Sequence, residues 1–242
     1  MSLMFEELDY RETPIGDLRL RRRRMVQFGD LDIYEIILGD DFLMTSLFHE
    51  SEDQLSKIGL DALGGDNLDV VVGGLGLGYT AAVALENPRV GSLIVVDYLE
   101  GVIDWHNRGL VPMSRRLTDD DRCRFVHGDF FALSQDTQHS YDPQDPGKKH
   151  DVILLDIDHT PTNVLNPSNV HLYTQQGLTE LASHLKPGGV FALWSDGSPV
   201  DSFTEHLQSV FVSSESHLIE FPNPVTGGTS VGTVYVARVA NA

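Results

Sequence analysis

The chain has 242 residues, of which 41% are hydrophobic and 22% are charged, and its formal net charge at pH 7 is −19. This length predicts one sizeable domain, or one domain with a small appendage. The acidic balance argues against a nucleic acid partner, because phosphate binding needs basic surface. No apolar run is long enough to cross a bilayer, so we expect no membrane partner either.

The N-terminus and the cysteine content indicate the compartment. The first ten residues are acidic and lack the apolar core of a signal peptide. Cys123 is the only cysteine, so the chain has no internal disulfide. We therefore expect a cytoplasmic protein. No cluster of histidine, cysteine and aspartate has the spacing of metal ligands, and we expect no metal.

Residues 1–63 are predicted to form a small N-terminal β region with a connecting helix. Strand character is found in three segments, residues 17–20, 34–38 and 42–44. The basic run at residues 21–24 is interpreted as a solvated strand that pairs with acidic surface, rather than as an anion site. The connecting helix is predicted at residues 50–63, where Gly64 and Gly65 follow as a stop signal.

A larger domain is predicted at residues 64–242, and it begins with the stretch LDVVVGGLGLGYTA at residues 68–81. The three consecutive valines predict a parallel strand that is buried on both faces. The glycines that follow allow a sharp turn and the close approach of a ligand. A helix predicted from residue 79 would point its first N–H groups into that turn. Together they predict a nucleotide- or nucleoside-binding α/β unit.

Two cofactor patterns fit this glycine turn. Gly76, Gly78 and Ala81 satisfy the dinucleotide pattern G-x-G-x-x-A. Gly74, Gly76 and Gly78 satisfy G-x-G-x-G, which proteins that bind S-adenosylmethionine show. The turn alone does not decide between them.

Further strands are predicted at residues 92–97, 122–127, 151–156 and 190–194, and helices at residues 100–107, 172–185 and 203–211. Asp97 ends the first of these strands, at the distance from the glycine turn where a carboxylate reaches a ribose diol. Asp129 follows the second strand. Its carboxylate can accept a hydrogen bond from an adenine amino group, or it can cap the next helix.

The last third of the chain predicts the sheet type. A polar, mobile surface loop is expected at residues 135–149, and the sequence KPGG at residues 186–189 is expected to end a helix. A closing strand pair is predicted at residues 217–221 and 233–237. The fold class is therefore predicted as α/β, with a Rossmann-like, seven-stranded methyltransferase-type sheet, helices on both faces and a small N-terminal β-strand region in front.

The order and spacing of these segments resemble class I S-adenosylmethionine-dependent methyltransferases, and more narrowly the spermidine synthases, which are polyamine aminopropyltransferases. The resemblance runs from about residue 68 to 238. The segments that carry it are VVVGGLGLG, VVDYLEGVIDWHN, FVHGDF, DVILLDIDHTP and LTELASHLKPGGVFAL. The N-terminal strands and helix resemble that family's small β domain in outline.

The resemblance implies S-adenosylmethionine or decarboxylated S-adenosylmethionine as co-substrate, and a small-molecule amine as acceptor. It implies that the three glycines Gly74, Gly76 and Gly78 lie beside the methionine part. It also implies that Asp97 binds the ribose and that Asp129 binds the adenine amino group.

The resemblance further implies that Asp156 takes the proton from the attacking amine. Asp158, Asp196 and Trp194 are expected to complete an acidic, aromatic pocket for a polyamine, with Trp194 acting through a cation–π contact.

Three departures from the family pattern concern the substrate half. Leu77 stands where we expect the aspartate that grips the aminopropyl ammonium, and Ile157 and His159 replace residues of the pattern around Asp158. The tyrosine expected near the domain junction is missing from residues 48–52.

Aminopropyl transfer to a cationic amine is the favoured function, because Asp156 and Asp158 suit an amine. The alternatives are a small-molecule methyltransferase, which Leu77 favours, and a nucleoside-binding protein or dehydrogenase without polyamine chemistry. The sequence leaves the oligomeric state open, with a homodimer as one possible assembly.

Overall fold

The N-terminal region is a four-stranded antiparallel sheet in a computed structural model that describes residues 4–25, 29–223 and 225–241. Its strands lie side by side in sequence order: β1 (Phe5–Thr13), β2 (Gly16–Met25), β3 (Leu31–Leu38) and β4 (Asp41–Thr45). The last three contain the predicted segments, whereas β1 was not predicted.

Opposite charges face each other across the strands of this sheet. Glu6 on β1 lies opposite Arg22 on β2, and Arg22 Nη2 lies 2.5 Å from Glu6 Oε2. The neighbouring arginines pair in the same way: Arg23 with Glu35, and Arg24 with Asp32. The basic run is therefore a strand that pairs with acidic side chains, as predicted.

The second sheet has seven strands. They are β5 (Leu68–Gly73), β6 (Val90–Asp97), β7 (Cys123–His127), β8 (His150–Leu155), β9 (Leu185–Asp196), β10 (Ser213–Asn223) and β11 (Gly228–Arg238). Their spatial order is β10-β11-β9-β8-β5-β6-β7. Strands β5 to β9 run parallel, and β11 and β10 continue the sheet antiparallel. The predicted fold class is confirmed.

Helices cover both faces of this sheet. They are α1 (Glu50–Asp61), α2 (Tyr79–Glu86), α3 (Glu100–Asn107), α4 (Ser114–Thr118), α5 (Phe130–Gln135), α6 (Gln175–Ala182) and α7 (Asp201–Val210), with a 3-10 helix at Pro167–Tyr173. On β5, Val70 and Val72 join the core under α1 to α4, and Val71 joins the core under α5 to α7. This alternation explains why the central strands are apolar at every position. Within the described residues, no helix has the length and apolarity needed to cross a membrane.

The N-terminal sheet rests on α3. Trp105 is fully buried, and its indole Nε1–H donates to Asp9 Oδ2 at 2.6 Å. The guanidinium of Arg11 pairs with Asp104, and Leu18 is buried in the same core. This contact places the apolar side chains of the N-terminal sheet above the carboxyl edge of the large sheet.

Helix α1 packs on the large sheet, although the sequence groups it with residues 1–63. It contacts α2, β9 and β11. A Cβ at Gly59 would lie 2.7 Å from Leu154 and 3.1 Å from Ala192, so the helix lies very close to the strands. The tight packing fixes the position of the helix on the sheet.

Two local predictions differ from the structure. The helix predicted at residues 172–185 is present as the shorter α6, because Thr174 is extended and caps α6 by accepting from the Gly177 N–H. The KPGG segment that was expected to end a helix lies in β9. Leu185 already pairs with His150 in the sheet, so the chain is extended at that point.

The loop predicted as polar surface at residues 135–149 has a buried centre. Tyr141 is fully buried and stacks on Phe130 at a centroid distance of 4.9 Å. Asp142 is also buried, and its carboxylate pairs with Arg124 at 2.6 Å. An aromatic anchor and an ion pair thus hold the loop on the sheet.

Candidate active site

A cavity of ≈ 190 Å³ lies at the carboxyl ends of the central strands. The glycine turn after β5 and the segments after β6 and β8 form its base. The N-terminal sheet and its first turn contribute an apolar wall, made of Ile15, Ile36, Leu38, Leu43 and Met44. Four carboxylates line the cavity, those of Glu52, Asp97, Asp129 and Asp156. Among the described residues that line it, none is lysine or arginine.

Asp97 anchors the glycine turn from the end of β6. Its Oδ2 accepts from the Leu75 N–H at 2.8 Å, and its Oδ1 accepts from the Leu99 N–H at 2.7 Å. Burial raises the pKa of this carboxyl, and the backbone N–H groups of Leu75, Leu99 and Gly76 oppose the shift. The predicted ribose ligand therefore lies at the cavity and also holds the turn in shape.

The three predicted glycines have different surroundings. Gly74 has a φ of 95°, and a Cβ there would lie 2.0 Å from the backbone oxygen of Asp156. Gly76 lines the cavity, and its Cβ would point at Met44 Sδ at 3.0 Å. Gly78 begins α2 and does not line the cavity, since a Cβ there would meet His106.

Gly74→Ala is expected to lower the free energy of unfolding by roughly 2–5 kcal/mol, because overpacking and the left-handed backbone conformation both add cost. Urea unfolding of the variant measures the loss. The control is Gly64→Ala, a position where a Cβ would meet nothing within 4 Å and φ is not positive. Equal stability of the two variants would show that β8 does not constrain the turn.

Asp129 caps α5. Its Oδ1 accepts from the N–H groups of Phe131 at 2.9 Å and Ala132 at 3.2 Å. The helix cap that was predicted as the alternative role of Asp129 is therefore present. Asp129, Phe130 and Phe131 also line the cavity, so the adenine contact stays a prediction.

Asp156 follows β8 and faces the cavity. Thr80 Oγ1 donates to its Oδ2 at 2.5 Å, and its Oδ1 has no hydrogen-bond partner in the described part of the chain. Burial raises the pKa of the carboxyl, and the Thr80 hydroxyl opposes the shift. A carboxylate with a raised pKa and a free oxygen is suited to accept a proton near neutral pH.

Glu52 was missed by the sequence analysis. It lies on α1 and lines the same cavity as Asp156. Burial, and then the negative charge of Asp156, raise the pKa of Glu52. The sequence holds no local signal for this residue, because the packing of α1 on the sheet brings it to the site.

The predicted polyamine pocket is assembled only in part. Trp194 lines the cavity, and its indole N–H is buried without a hydrogen-bond partner among the described residues. Asp196 is exposed and lies outside the cavity. Asp158 also lies outside it: the side chain is buried and accepts from the Tyr173 hydroxyl at 2.8 Å and the Leu165 N–H at 2.7 Å. Its contacts hold the segment after β8 in place.

The predicted departure at position 77 needs correction. Leu77 is fully buried in the core below the turn and does not line the cavity. The Leu77 side chain is therefore not part of the cavity wall, whereas Gly76 lines the cavity. In the described ranges, no group of three or more His, Cys, Asp or Glu side chains is arranged to hold a metal ion.

No protein-family model matches the chain. A curated relative, polyamine aminopropyltransferase 2 of Pseudomonas aeruginosa, is 28% identical over 184 residues, and the match covers 74% of this chain. The chain spans about half the length of that relative, 48%.

Solved structures share the fold. A spermidine synthase in complex with the transition state analogue AdoDATO has a TM-score of 0.73 at 17% identity, over 98% of this chain and 74% of that chain. The spermidine synthase from Thermotoga maritima has a TM-score of 0.72 at 17% identity over the same shares. Human methyltransferase-like protein 13 in complex with SAH has a TM-score of 0.59 at 20% identity, over 78% of this chain and 82% of that chain. The predicted resemblance is confirmed: the chain has a spermidine synthase-like fold of the class I methyltransferase type.

Proposed function

We propose that the chain is a transferase that moves an aminopropyl group from decarboxylated S-adenosylmethionine to a cationic amine. The observation that carries this proposal is the charge of the cavity. Its carboxylates belong to Glu52, Asp97, Asp129 and Asp156, and no lysine or arginine accompanies them among the described lining residues. Both substrates of this reaction are cations, and an acidic cavity complements them. The name of the Pseudomonas aeruginosa relative supports the same class of reaction.

The hydrogen bonds of the glycine turn favour the decarboxylated co-substrate. The methionine carboxylate of S-adenosylmethionine needs positive charge or free N–H groups. The N–H groups of the turn already have protein acceptors: Gly74 donates to Val96 O at 2.9 Å, Leu75 to Asp97 Oδ2 at 2.8 Å, Leu77 to Met44 Sδ at 3.3 Å and Gly78 to Leu75 O at 2.7 Å. The Gly76 N–H also points to Asp97. A carboxylate here would be repelled, whereas an aminopropyl ammonium would be attracted.

The adenosyl half of the ligand is assigned to the end of β6 and the start of α5. Asp97 accepts from the N–H groups of Leu75 and Leu99, and the Gly76 N–H also points to it. A carboxylate has about four acceptor sites, so one is left for a ribose hydroxyl. The second oxygen of Asp129 is available for the adenine amino group, since only Oδ1 caps the helix. Phe130 and Phe131 offer apolar surface beside the base.

Asp156 is the proposed base. An alkyl ammonium has a pKa of about 10 and has no lone pair until it loses a proton. Asp156 Oδ1 takes that proton, while Thr80 keeps the carboxylate oriented. The amine nitrogen then attacks the carbon beside the sulfonium. The new C–N bond forms as the C–S bond breaks, and its electron pair goes to sulfur, which leaves as methylthioadenosine.

Product analysis tests the proposal. Purified protein is incubated with decarboxylated S-adenosylmethionine and a set of aliphatic diamines, and chromatography measures methylthioadenosine and the aminopropylated amine in equal amounts. Parallel reactions contain S-adenosylmethionine, for which we expect no product. A methylated amine without an aminopropylated one would instead support the methyltransferase alternative. Binding of an adenosyl ligand without either product would support a nucleoside-binding protein.

A further inference from the structure

We propose that Glu52 and Asp156 together bind the ammonium group of the acceptor amine, as two carboxylates supplied by α1 and by the end of β8. This inference rests on the proposed function for the identity of the amine as acceptor. It adds a second acceptor-binding residue and restricts the acceptor to amines that enter as alkylammonium ions.

The two carboxylates are oriented in the same way. Ser51 Oγ donates to Glu52 Oε2 at 2.7 Å, as Thr80 Oγ1 donates to Asp156 Oδ2 at 2.5 Å. Ser51 is itself buried against Gly232, where an added Cβ would lie 3.0 Å from Ser51 Cβ. Each acid is thus held by a hydroxyl group on the packed scaffold, and both line one cavity. A pair fixed in this way is preorganised for a cation.

One cationic group acts on Glu52. The imidazole of His49 lowers the pKa of Glu52, against the larger effects of burial and of the Asp156 charge. The His49 ring is paired with Asp53 at 3.0 Å, which raises the pKa of the imidazole, and it stacks on Tyr79 at 3.8 Å. Burial raises the pKa of Tyr79 to about 12, so the phenol is neutral. Because His49 is already paired with Asp53, and no lysine or arginine is among the described residues that line the cavity, we expect the ligand to supply the counter-charge for Glu52 and Asp156.

When no amine is bound, the carboxylates of Glu52 and Asp156 are expected to share one proton near neutral pH. Two buried like charges disfavour the state in which both are ionised. An alkylammonium ion that enters supplies the missing charge, and the shared proton leaves to solvent. Asp156 then takes a proton from the bound ammonium in the transfer step, so the proton count balances. Leu43, Met44 and Trp194 line the same cavity and offer apolar contact to the methylene chain of the amine.

Isothermal calorimetry with 1,4-diaminobutane tests the inference on protein saturated with methylthioadenosine. Wild type is expected to bind the diamine and to release a proton at pH 7, measured in buffers of different ionisation enthalpy. Glu52→Gln should bind the diamine about 10–100-fold more weakly, as expected for the loss of one charge-assisted hydrogen bond, and should release less proton. The control is Glu50→Gln, which removes the same charge from an exposed position on α1 outside the cavity and should behave as wild type.

A stability titration provides a readout that needs no ligand. The raised pKa of Glu52 means that the wild type loses stability as pH rises from the unfolded value of about 4.3 through the folded value. Glu52→Gln lacks this loss and should gain stability relative to wild type over that range. The Glu50→Gln variant keeps Glu52 and should retain the wild-type pH dependence.

The outcomes separate this inference from the proposed function. Unchanged diamine affinity and proton release in Glu52→Gln overturn the inference even when wild type transfers aminopropyl groups. Wild type that does not bind the diamine overturns it as well. Weaker binding and lost proton release in Glu52→Gln support the inference, even when no transfer occurs and the proposed function fails.

Discussion

Asp156→Asn is expected to slow aminopropyl transfer by about 10²–10⁴-fold, the usual contribution of a positioned base. Asparagine keeps nearly the same shape and can keep the Thr80 contact, but it cannot accept the ammonium proton. It also removes one of the charges that attract the amine. Steady-state rates with decarboxylated S-adenosylmethionine and a diamine measure the effect.

Binding of methylthioadenosine should hardly change in Asp156→Asn, because this ligand carries no ammonium. Asp121→Asn is the matched control, an exposed aspartate outside the cavity. Burial raises the pKa of Asp156, so the wild-type rate should fall as pH drops through the neutral-to-acid range. Retention of most of the wild-type rate in Asp156→Asn would remove the base from the proposed mechanism.

Asp97→Ala is expected to abolish binding of adenosyl ligands and to destabilise the protein by about 1–3 kcal/mol at pH 7. From its position at the end of a strand alone, Asp97 would be expected to contact only the ligand, and its replacement would have little effect on the free energy of unfolding. The structure changes that expectation, because Asp97 accepts from Leu75 and Leu99, and alanine leaves both N–H groups without their acceptor.

Calorimetry with methylthioadenosine and urea unfolding measure the two effects of Asp97→Ala separately. Asp121→Ala controls for the loss of an aspartate at the surface. Undiminished affinity in Asp97→Ala would take this residue out of the nucleoside site. Full affinity with reduced stability would leave it only the role of holding the glycine turn.

The central sheet could be predicted because its signals are local. Each inner strand is an apolar run of the length of one strand, and a glycine turn or an acid marks its end. Val70 to Val72 illustrate this, since their alternation between the two cores requires apolar residues at every position. The parts of the cavity next to strand ends, Asp97 and Asp156, follow from the same logic.

The structural features that the sequence did not predict have a common cause. Each of them depends on contacts between segments that are distant in sequence. Strand β1 looks like a solvated acidic segment until its carboxylates meet the arginines of β2. Tyr141 has polar neighbours in the sequence, which suggests an exposed loop. It is buried because it stacks on Phe130.

The roles of several residues at the site could not be predicted for the same reason. Glu52 lines the cavity beside Asp156 only because α1 packs on the large sheet. The Asp158 carboxylate is bound by Tyr173 and Asn169, which lie in the 3-10 helix. Adjacent positions in a turn also face opposite ways, so Leu77 lies in the core while Gly76 faces the cavity.

The docking of the N-terminal sheet on α3 has a consequence for how acceptor range can change. In the described part of the chain the four strands form a sheet of their own, and they supply Ile36, Leu38, Leu43 and Met44 to the cavity wall. Ile36, Leu38 and Leu43 can be exchanged, or the β3–β4 hairpin lengthened, without changing the strands of the large sheet that precede Asp129 and Asp156 or contain Asp97. On the proposed function, this sheet sets part of the acceptor wall while the large sheet holds the adenosyl end, and exchanging it between proteins of the same fold is expected to change the length of amine that fits.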